Sequence, residues 1–506
     1  MSLTTEFPSV STKANPGQAP GGLGKGLFAS TSLKTGEDVL SIQNPFVAVL
    51  ETPRLDDTCS GCFGKRQLEN VDAALKACTG CQVVKYCDRT CQSKDWKAAH
   101  SLECSIYQKL KPRVLPINAR AVLRIVLRSQ RQKCTPQEME LFLQLETHVQ
   151  EIQRDNPAQL ERIGISAKAV KVYSGTDMKE ETISAFGAKL DLNSFNMTNP
   201  LYDQIGLYLH PFAALINHSC DYNSVVGFDG HQLFVKAIRP IQKDEQIFIS
   251  YIDTTNPYKI RRAELRERYY FDCRCPKCEQ GLDGPADKFP NTSSSSPADP
   301  SDLEADGKEA QKILDRASAL DTDPVESIIQ LESAMRWLRR TSPPWPITRQ
   351  PYISLRDQLI TSLLAAGSFS AAFIHCAIRH LRIDPVVYPH ASHPVRCLHA
   401  WTLAKLTIHL SQDMEPSSSS SSGDAIPLDQ FGLNFSLVIW SVLSDLVNRE
   451  AECCTAPSFK GMVRGAFAEV HNEFRVNGLD PRTMGGDIRR EWEKMGRLVD
   501  LAVGKE

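Results

Sequence analysis

Soft metal ligands are concentrated between residues 59 and 104. Four pairs recur there: two C-x2-C pairs, one C-x3-C pair and one H-x3-C pair. The residues are Cys59, Cys62, Cys78, Cys81, Cys87, Cys91, His100 and Cys104. Eight thiolate and imidazole ligands are enough for two closed tetrahedral Zn²⁺ sites. The spacing leaves open whether consecutive pairs share an ion or whether the pairs alternate.

The last two pairs carry their ligands four residues apart. A helical turn would present both members of such a pair from one face. We therefore expect helices over 87–91 and 100–104. The segment is too small for a good apolar core, so metal binding is expected to supply much of its folding energy.

A second group of cysteines follows at Cys273, Cys275 and Cys278. Three thiolates leave a structural zinc site one ligand short. Another pair, His218 and Cys220 in LINHSCDYN, can bind a metal, take part in chemistry or form a polar turn after an apolar run. The spacing of this pair alone does not choose among the three.

The composition indicates a soluble globular protein. The chain has 506 residues, of which 42% are apolar and 23% charged, and its length predicts about three domains. The net charge of −2 gives no reason to expect direct nucleic-acid binding or attraction to anionic membranes. We find no signal peptide and no apolar run that could span a membrane. We therefore expect an intracellular protein, and its clusters among 16 cysteines indicate metal rather than disulfides.

The elements that must hold these ligands are of two kinds. Short apolar segments predict strands near both ends of residues 1–252, and HQLFVKAIRPIQKDEQIFISY at 231–251 predicts a β-hairpin. Helical periodicity dominates 105–181, where Ala121, Ile125 and Leu127 share a face and arginines lie on the other. Cys134, Cys376, Cys397, Cys453 and Cys454 are expected to be ordinary apolar residues.

The fold class that we predict is α+β, with a β-rich domain split by an inserted zinc module. The predicted segments are 1–58, the first part of the β-rich domain; 59–104, the zinc module; 105–181, a helical insertion; 182–252, the β-rich core; 253–280, a basic helix and the second cysteine cluster; 281–306, a disordered polar linker; and 307–506, a helical domain with a Ser-rich insertion at 416–424. Paired helices in the last segment favour a solenoid-like repeat, with a plain bundle as the alternative.

Five stretches together resemble a known family. They are GLGKGLFAS, KYCDRTCQSKDWKAAHSLEC, LINHSCDYN, IFISY and YYFDCRCPKC. The second resembles a MYND zinc finger and the others a SET domain, so the whole is similar to the SET-and-MYND protein-lysine methyltransferases. SHPVRCLHAWTLAKLTIHL at 392–410 resembles the TPR-like C-terminal domain of that family. The resemblance therefore covers nearly the full chain.

The resemblance implies three structural zinc ions in an alternating arrangement. The implied ligands are Cys59, Cys62, Cys87 and Cys91 for the first, Cys78, Cys81, His100 and Cys104 for the second, and Cys220, Cys273, Cys275 and Cys278 for the third. With four protein ligands each, these ions have no open position for water. The third would hold the C-terminal segment against the INHSC loop.

The same resemblance implies a methyl-transfer site. The implied S-adenosylmethionine-binding residues are Gly24, Lys25, Gly26, Asn193, Asn217, His218, Tyr251 and Phe271. Tyr251 and Tyr269 are the implied catalytic residues, and Phe195 lines the lysine channel with Tyr269. A fixed phenol oxygen can orient the amine and accept C–H···O contacts from the transferred methyl group. Tyr270 is an alternative to Tyr269, but the spacing to the following cysteines favours Tyr269.

Three residues depart from the family pattern. They are Lys25 where asparagine is common, Tyr222 where proline is usual and Asp244 where glycine is usual. A lysine at position 25 can still meet the carboxylate of the cofactor or the loop around it. Neither Tyr222 nor Asp244 removes a group that performs chemistry.

We therefore expect an S-adenosylmethionine-dependent protein-lysine N-methyltransferase that acts on histone or non-histone proteins. The alternative is a non-catalytic scaffold that recruits partner proteins, for example in transcriptional regulation. A DNA-binding regulator would need a basic stripe or a recognition helix, which the sequence lacks. We further expect a monomer in the nucleus and cytoplasm, with proline-containing peptides as partners of the finger and no membrane partner.

Overall fold

The computed structural model describes residues 9–68, 74–284, 287–289, 300–319, 322–412 and 426–506. The chain divides into two units. The first comprises Met1–Tyr251, Glu264–Cys273 and Cys454–Phe459, and the second comprises Ile252–Ala263, Arg274–Cys453 and Lys460–Glu506. The predicted Ser-rich insertion at 416–424 and residues 285–286 and 290–299 of the predicted linker lie outside the described residues. The prediction of a disordered linker through 306 is wrong at its end, because residues 300–306 lie in helix Pro300–Ala317.

The strands of the described chain belong to the first unit. They are β1 Val10–Thr12, β2 Ala14–Gln18, β3 Lys25–Ala29, β4 Asp38–Ile42, β5 Val47–Leu50, β6 Lys76–Ala77, β7 Lys85–Tyr86, β8 Phe195–Thr198, β9 Gln204–Leu209, β10 Asn217–His218, β11 Ser224–Asp229, β12 Gln232–Ala237 and β13 Phe248–Ile249. Small sheets form in the orders β1-β4-β12-β11, β5-β9-β8, β2-β3, β6-β7 and β10-β13. Apolar side chains between these sheets and the adjacent helices make one core.

The hairpin predicted over 231–251 is wrong. β12 pairs instead with the preceding β11, through a turn of only two residues, Gly230 and His231. A two-residue hairpin turn favours a positive φ at its first position, and Gly230 has φ +68°. β13 pairs in parallel with β10. This pairing places the end of β13, just before Tyr251, beside the Asn-His dipeptide of β10.

The helices of the first unit fill most of the predicted insertion. They are Arg89–Asp95, Ser101–Leu110, Ile117–Gln130, Pro136–Gln144, Val149–Asp155, Pro157–Ser174 and Glu180–Asn193. Helix Ile117–Gln130 packs its apolar face into the core, with Ala121 and Ile125 fully buried. The predicted boundaries at 104/105 and 181/182 both fall inside helices.

The arginines of helix Ile117–Gln130 donate hydrogen bonds to the free edge of strand β5. The other edge of this strand pairs with β9. Arg120, Arg124 and Arg128 donate to the backbone oxygens of Leu50, Ala48 and Phe46, respectively. Four residues of a helix advance about 6 Å and two residues of a strand about 6.8 Å. Successive arginines, four residues apart, therefore reach successive carbonyls that are two residues apart. The charged face thus satisfies a strand edge, a contact that periodicity alone does not reveal.

The second unit is helical in its described part. Its helices are Pro276–Glu279, Pro300–Ala317, Pro324–Arg339, Tyr352–Ala365, Phe369–Ile378, Asp384–Val387, Pro394–Gln412, Phe435–Asn448 and Gly485–Lys505, and helices Tyr258–Tyr269 and Pro457–Val476 contribute residues to both units. Consecutive helices pack on one another. The predicted α+β class is confirmed, and the TPR-like repeat stays a prediction.

Two features of the described helices bear on the expectations from sequence. None of them combines the length and apolar character that crossing a membrane requires. In the second unit, the buried Sγ atoms of Cys397 and Cys453 lie 3.4 Å apart. These two residues are therefore a thiol pair as well as apolar packing groups.

Candidate active site and metal centres

The finger gathers its eight soft ligands into two groups. Cys59, Cys62, Cys87 and Cys91 form one, and Cys78, Cys81, His100 and Cys104 form the other, with the ligand atoms of each group within 4.8 Å of one another. This is the alternating arrangement, so consecutive pairs do not share a group. Four soft ligands at such distances suit a closed zinc site.

Both C-x2-C pairs adopt the same tight turn. Phe63 follows the first pair with φ 49°, and Gln82 follows the second with φ 57°. Each of these residues donates its backbone N–H to the carbonyl of the first cysteine of its pair, at 2.8 Å. The repeated turn directs both sulfurs of a pair toward one point.

A glycine precedes the second cysteine of each pair, and packing requires it. A Cβ atom at Gly61 would lie 2.4 Å from the backbone oxygen of Cys91, and one at Gly80 would lie 2.8 Å from Sγ of Cys104. Each glycine therefore permits the close approach of the pair that completes its own site. The repeated C-S-G-C and C-T-G-C stretches carry this signal, which spacing of the ligands alone misses.

The helices in the finger only partly match the prediction. His100 ends a π-helical turn and Cys104 lies in the next helix, so both come from one helical stretch. Cys87 precedes helix Arg89–Asp95, because Asp88 is the N-cap and accepts from the N–H of Cys91 at 2.9 Å. The expectation of a helix over 87–91 is therefore wrong at its first residue.

The environment of His100 favours the neutral form of its imidazole, which is the form that binds a metal. Burial lowers the pKa of its imidazole to about 4, and metal ligation requires the neutral form. Its Nε2 lies 3.4 Å from Sγ of Cys78 and 3.5 Å from Sγ of Cys81. Nε2 is thus the nitrogen that faces the metal position.

The third candidate ligand set is Cys220, Cys273, Cys275 and Cys278. In the first unit, the Sγ atoms of Cys220 and Cys273 lie within 4.8 Å of each other, and in the second unit those of Cys275 and Cys278 do the same. The donor set suits zinc for the same reason as in the finger.

Two tyrosines and a histidine meet at the end of β13. The rings of Tyr251 and Tyr269 have centroids 5.0 Å apart, and His218 lies 5.3 Å from Tyr251. Phe271 contacts the other side of His218, edge-on at 5.9 Å. The Tyr251 N–H donates to Nδ1 of His218 at 3.0 Å, while Nε2 of His218 lies 3.3 Å from Sγ of Cys220. The histidine therefore links the tyrosines to the predicted zinc ligand.

The phenol groups are fixed by backbone oxygens. Tyr251 donates its hydroxyl to Ile216 O at 2.6 Å, and Tyr269 donates to Tyr251 O at 3.3 Å. Burial, assisted by the neighbouring Tyr269, raises the pKa of Tyr251, and burial raises that of Tyr269. Both remain protonated at neutral pH, so neither acts as a base, while the oxygen lone pairs of Tyr251 stay available as acceptors.

The neighbouring Tyr270 belongs to a different environment. Its backbone has φ 60°, and its ring packs on His148, 5.1 Å between centroids, within a small cluster that includes Ile152. Its buried hydroxyl has no hydrogen-bond partner among the described residues. The geometry therefore brings Tyr269, and not Tyr270, to Tyr251.

The glycine loop forms a cradle against the β10 segment. Gly24 has φ +70°, and the Asn217 amide donates to Lys25 O at 3.1 Å. A Cβ atom at Gly26 would lie 2.6 Å from Nε2 of Gln246 and 3.0 Å from Nδ2 of Asn217. Any side chain at position 26 would fill this space, which two amide nitrogens border.

The other predicted cofactor and channel residues have separate partners. Lys25 donates from Nζ to Gln144 Oε1 at 2.9 Å on the surface. Asn193 donates to the backbone oxygens of Glu146 and Lys189. Phe195 begins β8 and packs on the core. Within the described chain, no hydrogen bond or ring contact joins Asn193 or Phe195 to the tyrosine pair.

Comparison with known proteins places this geometry in a family. A model described as SET domain matches residues 24–252. The mouse protein named histone-lysine N-methyltransferase SMYD3 is 27% identical over 76% of this chain and 86% of its own length. A fission-yeast protein named SET domain and MYND-type zinc finger protein 6 is 30% identical over 51% of this chain and 50% of its own. These similarities support a SET-and-MYND family protein.

Other matches agree with the SET-and-MYND assignment. The zebrafish protein named N-lysine methyltransferase SMYD2-B is 29% identical over 54% of this chain and 60% of its own length. A crystal structure of the SET domain of LSMT bound to lysine and AdoHcy is 13% identical and covers 93% of this chain and 91% of that one, with TM-score 0.27. A superposition this loose carries no argument about the site.

The site fits the cofactor that SET-and-MYND proteins imply. Glycine at position 26 allows two side-chain amides to approach the loop backbone, and Nε2 of the buried Gln246 has no partner among the described residues. A buried donor of this kind requires an acceptor. Gln246 was absent from the residues predicted by sequence, because no motif points to it. Its position between Glu245 and the buried Ile247 is the only local signal.

Proposed function

We propose that this SET-and-MYND protein transfers a methyl group from S-adenosylmethionine to the side-chain amine of a lysine in a protein substrate. The observation that carries the proposal is the Tyr251–Tyr269 pair, fixed by backbone oxygens beside the Asn217-His218 strand. Names of relatives such as histone-lysine N-methyltransferase SMYD3 support the reaction class. Histone and non-histone proteins are both proposed as substrates.

Different residues are proposed to bind the cofactor and to align the acceptor lysine. When bound, S-adenosylmethionine supplies an electrophilic sulfonium methyl group. The residues that would hold it are Gly24, Gly26, Asn193, Asn217, His218 and Phe271, with the backbone of Lys25. Tyr251 would accept weak C–H···O contacts and orient the amine, because its hydroxyl proton is already donated to Ile216 O. Tyr269 and Phe195 would line the lysine channel.

Proton removal from the acceptor lysine does not involve the tyrosines. The raised pKa of Tyr251 and of Tyr269 keeps both phenols neutral near pH 7. The lysine is therefore proposed to lose its proton to solvent before transfer. The buried phenols then exclude water and fix the approach of the neutral amine.

The test is methyl transfer from labelled S-adenosylmethionine to a mixture of acceptor proteins, compared for the unmodified protein and Tyr251→Phe. We expect the variant to lose about 10²- to 10³-fold in kcat, with cofactor affinity by calorimetry within about threefold. Full activity of Tyr251→Phe would remove the assigned role. Failure of the unmodified protein to bind the cofactor would overturn the enzyme proposal, and binding without transfer to any acceptor would favour the scaffold.

The proposal extends to partners and location. Trp96, 44% exposed, is a large apolar side chain on the surface of the finger and supports docking of proline-containing peptides there. We also propose that the protein is a monomer and that it is present in the nucleus and cytoplasm. Size measurement by light scattering and imaging of the tagged full chain test these two statements.

A further inference from the structure

We propose that Gln246 determines specificity for the amino-acid end of the methyl donor, by donating its side-chain amide to the donor's carboxylate. The inference rests on the proposed function. It adds to the glycine loop and the Asn-His dipeptide a residue that lies outside every motif of the sequence. The argument depends on where Nε2 points and on what surrounds it.

The side chain of Gln246 is buried and its donor is unmet. The residue is 8% exposed, and Nε2 has no partner among the described residues. The backbone cannot easily turn to relieve this, because Gln246 O accepts from Asn223 Nδ2 at 2.8 Å and Ile247 N–H donates to Leu27 O at 2.8 Å. A fixed, buried amide without an acceptor is unfavourable unless a ligand supplies one.

The unmet donor faces the space above Gly26. Nε2 of Gln246 lies 2.6 Å, and Nδ2 of Asn217 3.0 Å, from the position of a Cβ at Gly26, with the Ala19 methyl at 3.4 Å. Asn217 gives one of its N–H groups to Lys25 O. Any side chain at position 26 would collide with these amides, so glycine allows both of them to lie against the loop backbone.

The chemistry of these two amides favours an anionic oxygen. Nε2 of Gln246 has no partner among the described residues, and Asn217, whose amide lies against the same glycine, donates to Lys25 O. Hydrogen bonds to a charged acceptor are stronger than those to a neutral one. The carboxylate is the anionic group of S-adenosylmethionine, so it is the part that the space above Gly26 suits best.

Calorimetry with two ligands tests the inference without measuring activity. S-Adenosylhomocysteine carries the amino-acid end, and 5′-methylthioadenosine lacks it. For Gln246→Leu we expect affinity for the first to fall about 10- to 100-fold and affinity for the second to stay within about twofold. Gln246→Glu keeps the shape, replaces donors by acceptors, and should lose at least as much for the first ligand. This near-isosteric variant carries the test if the leucine variant fails to fold.

The control is Gln43→Leu, an exposed glutamine on the first unit, which should leave both affinities unchanged. Equal affinity of Gln246→Leu and the unmodified protein for S-adenosylhomocysteine would overturn the inference. An equal loss for both ligands would also overturn it, because Gln246 would then only support the fold. Failure of the unmodified protein to bind either ligand would instead overturn the proposed function.

Discussion

The zinc finger and the tyrosine site lie in the same unit but are built in opposite ways. The finger takes all its ligands from residues 59–104. Each group consists of two ligand pairs, and the two ligands of a pair are three or four residues apart in sequence. The tyrosine site draws on the glycine loop, β10, β13, the last residue of helix Tyr258–Tyr269 and the segment that follows it. The first depends on residue type and spacing, and the second on long-range packing.

This difference explains where each region is vulnerable. Replacing a ligating cysteine by a side chain that does not bind zinc removes the metal, and with it much of the folding energy of the finger. The tyrosine site stands on the core formed by the sheets and helix Ile117–Gln130, so a substitution there should change chemistry with little change in stability. The following predictions separate these two kinds of failure.

The largest effect is expected from breaking a finger site. Cys104→Ser should lower the zinc content by one ion per chain and unfold the finger, because structural zinc contributes on the order of 10 kcal/mol of apparent binding free energy. The measurements are elemental analysis and thermal unfolding. Cys134→Ser is the matched control, since Cys134 lies outside every ligand group. Unchanged zinc content in Cys104→Ser would contradict the assignment of Cys104 as a zinc ligand.

The next effect concerns the buried ion pair that joins the finger to the core. Arg124 donates to both carboxylate oxygens of Glu103, at 2.6 and 2.7 Å, and to the edge of β5. Glu103→Gln leaves the guanidinium without its charge partner and should cost about 3–5 kcal/mol in the free energy of unfolding. Denaturant unfolding measures it, with the exposed Glu161→Gln as control. A loss below about 1 kcal/mol would count against the pair as a joint between the regions.

The same pair gives a pH dependence with a definite sign. Burial is the largest single influence and acts to raise the pKa of Glu103, but the charge and hydrogen bonds of Arg124, with smaller contributions from His100 and Arg120, together outweigh it, so the pKa is lowered. A carboxyl with a lowered pKa in the folded state stabilises the protein above its unfolded pKa, about 4.3, and this contribution is lost as the pH falls further. The unmodified protein should therefore lose stability below about pH 4 more steeply than Glu103→Gln.

The sequence predicted the finger better than the tyrosine site for a physical reason. Metal ligation is local and restricts residue types, so spacing alone nearly determined the candidate ligands. Ligand spacing does not reveal Gly61 and Gly80. Each of these glycines allows close contact with a cysteine, Cys91 or Cys104, that comes from a later part of the finger. At the tyrosine site the family motifs indicated Tyr251 and Asn217, but the unmet amide of Gln246 depends on packing that no local pattern records.

In the fold as well, local features were predicted and long-range ones were not. The α+β class and the helices of the insertion follow from periodicity, whereas the pairing of strands does not. The predicted hairpin over 231–251 failed because β13 pairs with β10, far away in sequence. Periodicity places the arginines of helix Ile117–Gln130 opposite its apolar face but does not reveal that they bind the edge of β5, which they do because the helix and strand repeats match in length.

Two adjacent tyrosines offer a smaller and sharper test of the active site. Tyr269→Phe loses the hydrogen bond to Tyr251 O and should lower kcat/KM about tenfold with unchanged cofactor affinity. Tyr270→Phe removes a buried hydroxyl without a described partner, so activity should be unchanged and stability equal or higher by up to about 1 kcal/mol. Steady-state kinetics and thermal unfolding of both variants provide the measurements. The opposite ranking of the two variants would reverse the register assigned to this segment.

The smallest effect is expected at Lys25, the departure from the family pattern nearest the cofactor loop. Asn217 contacts the backbone oxygen of Lys25, which any residue provides, while the side chain bonds to Gln144 at the surface. An exposed charged hydrogen bond contributes at most about 1 kcal/mol. Lys25→Asn should therefore change the calorimetric affinity for S-adenosylmethionine by less than about fivefold. Gln144→Ala should act similarly, since it removes the same contact from the other side. A loss beyond about tenfold in Lys25→Asn alone would mean that Nζ leaves Gln144 to bind the donor's carboxylate.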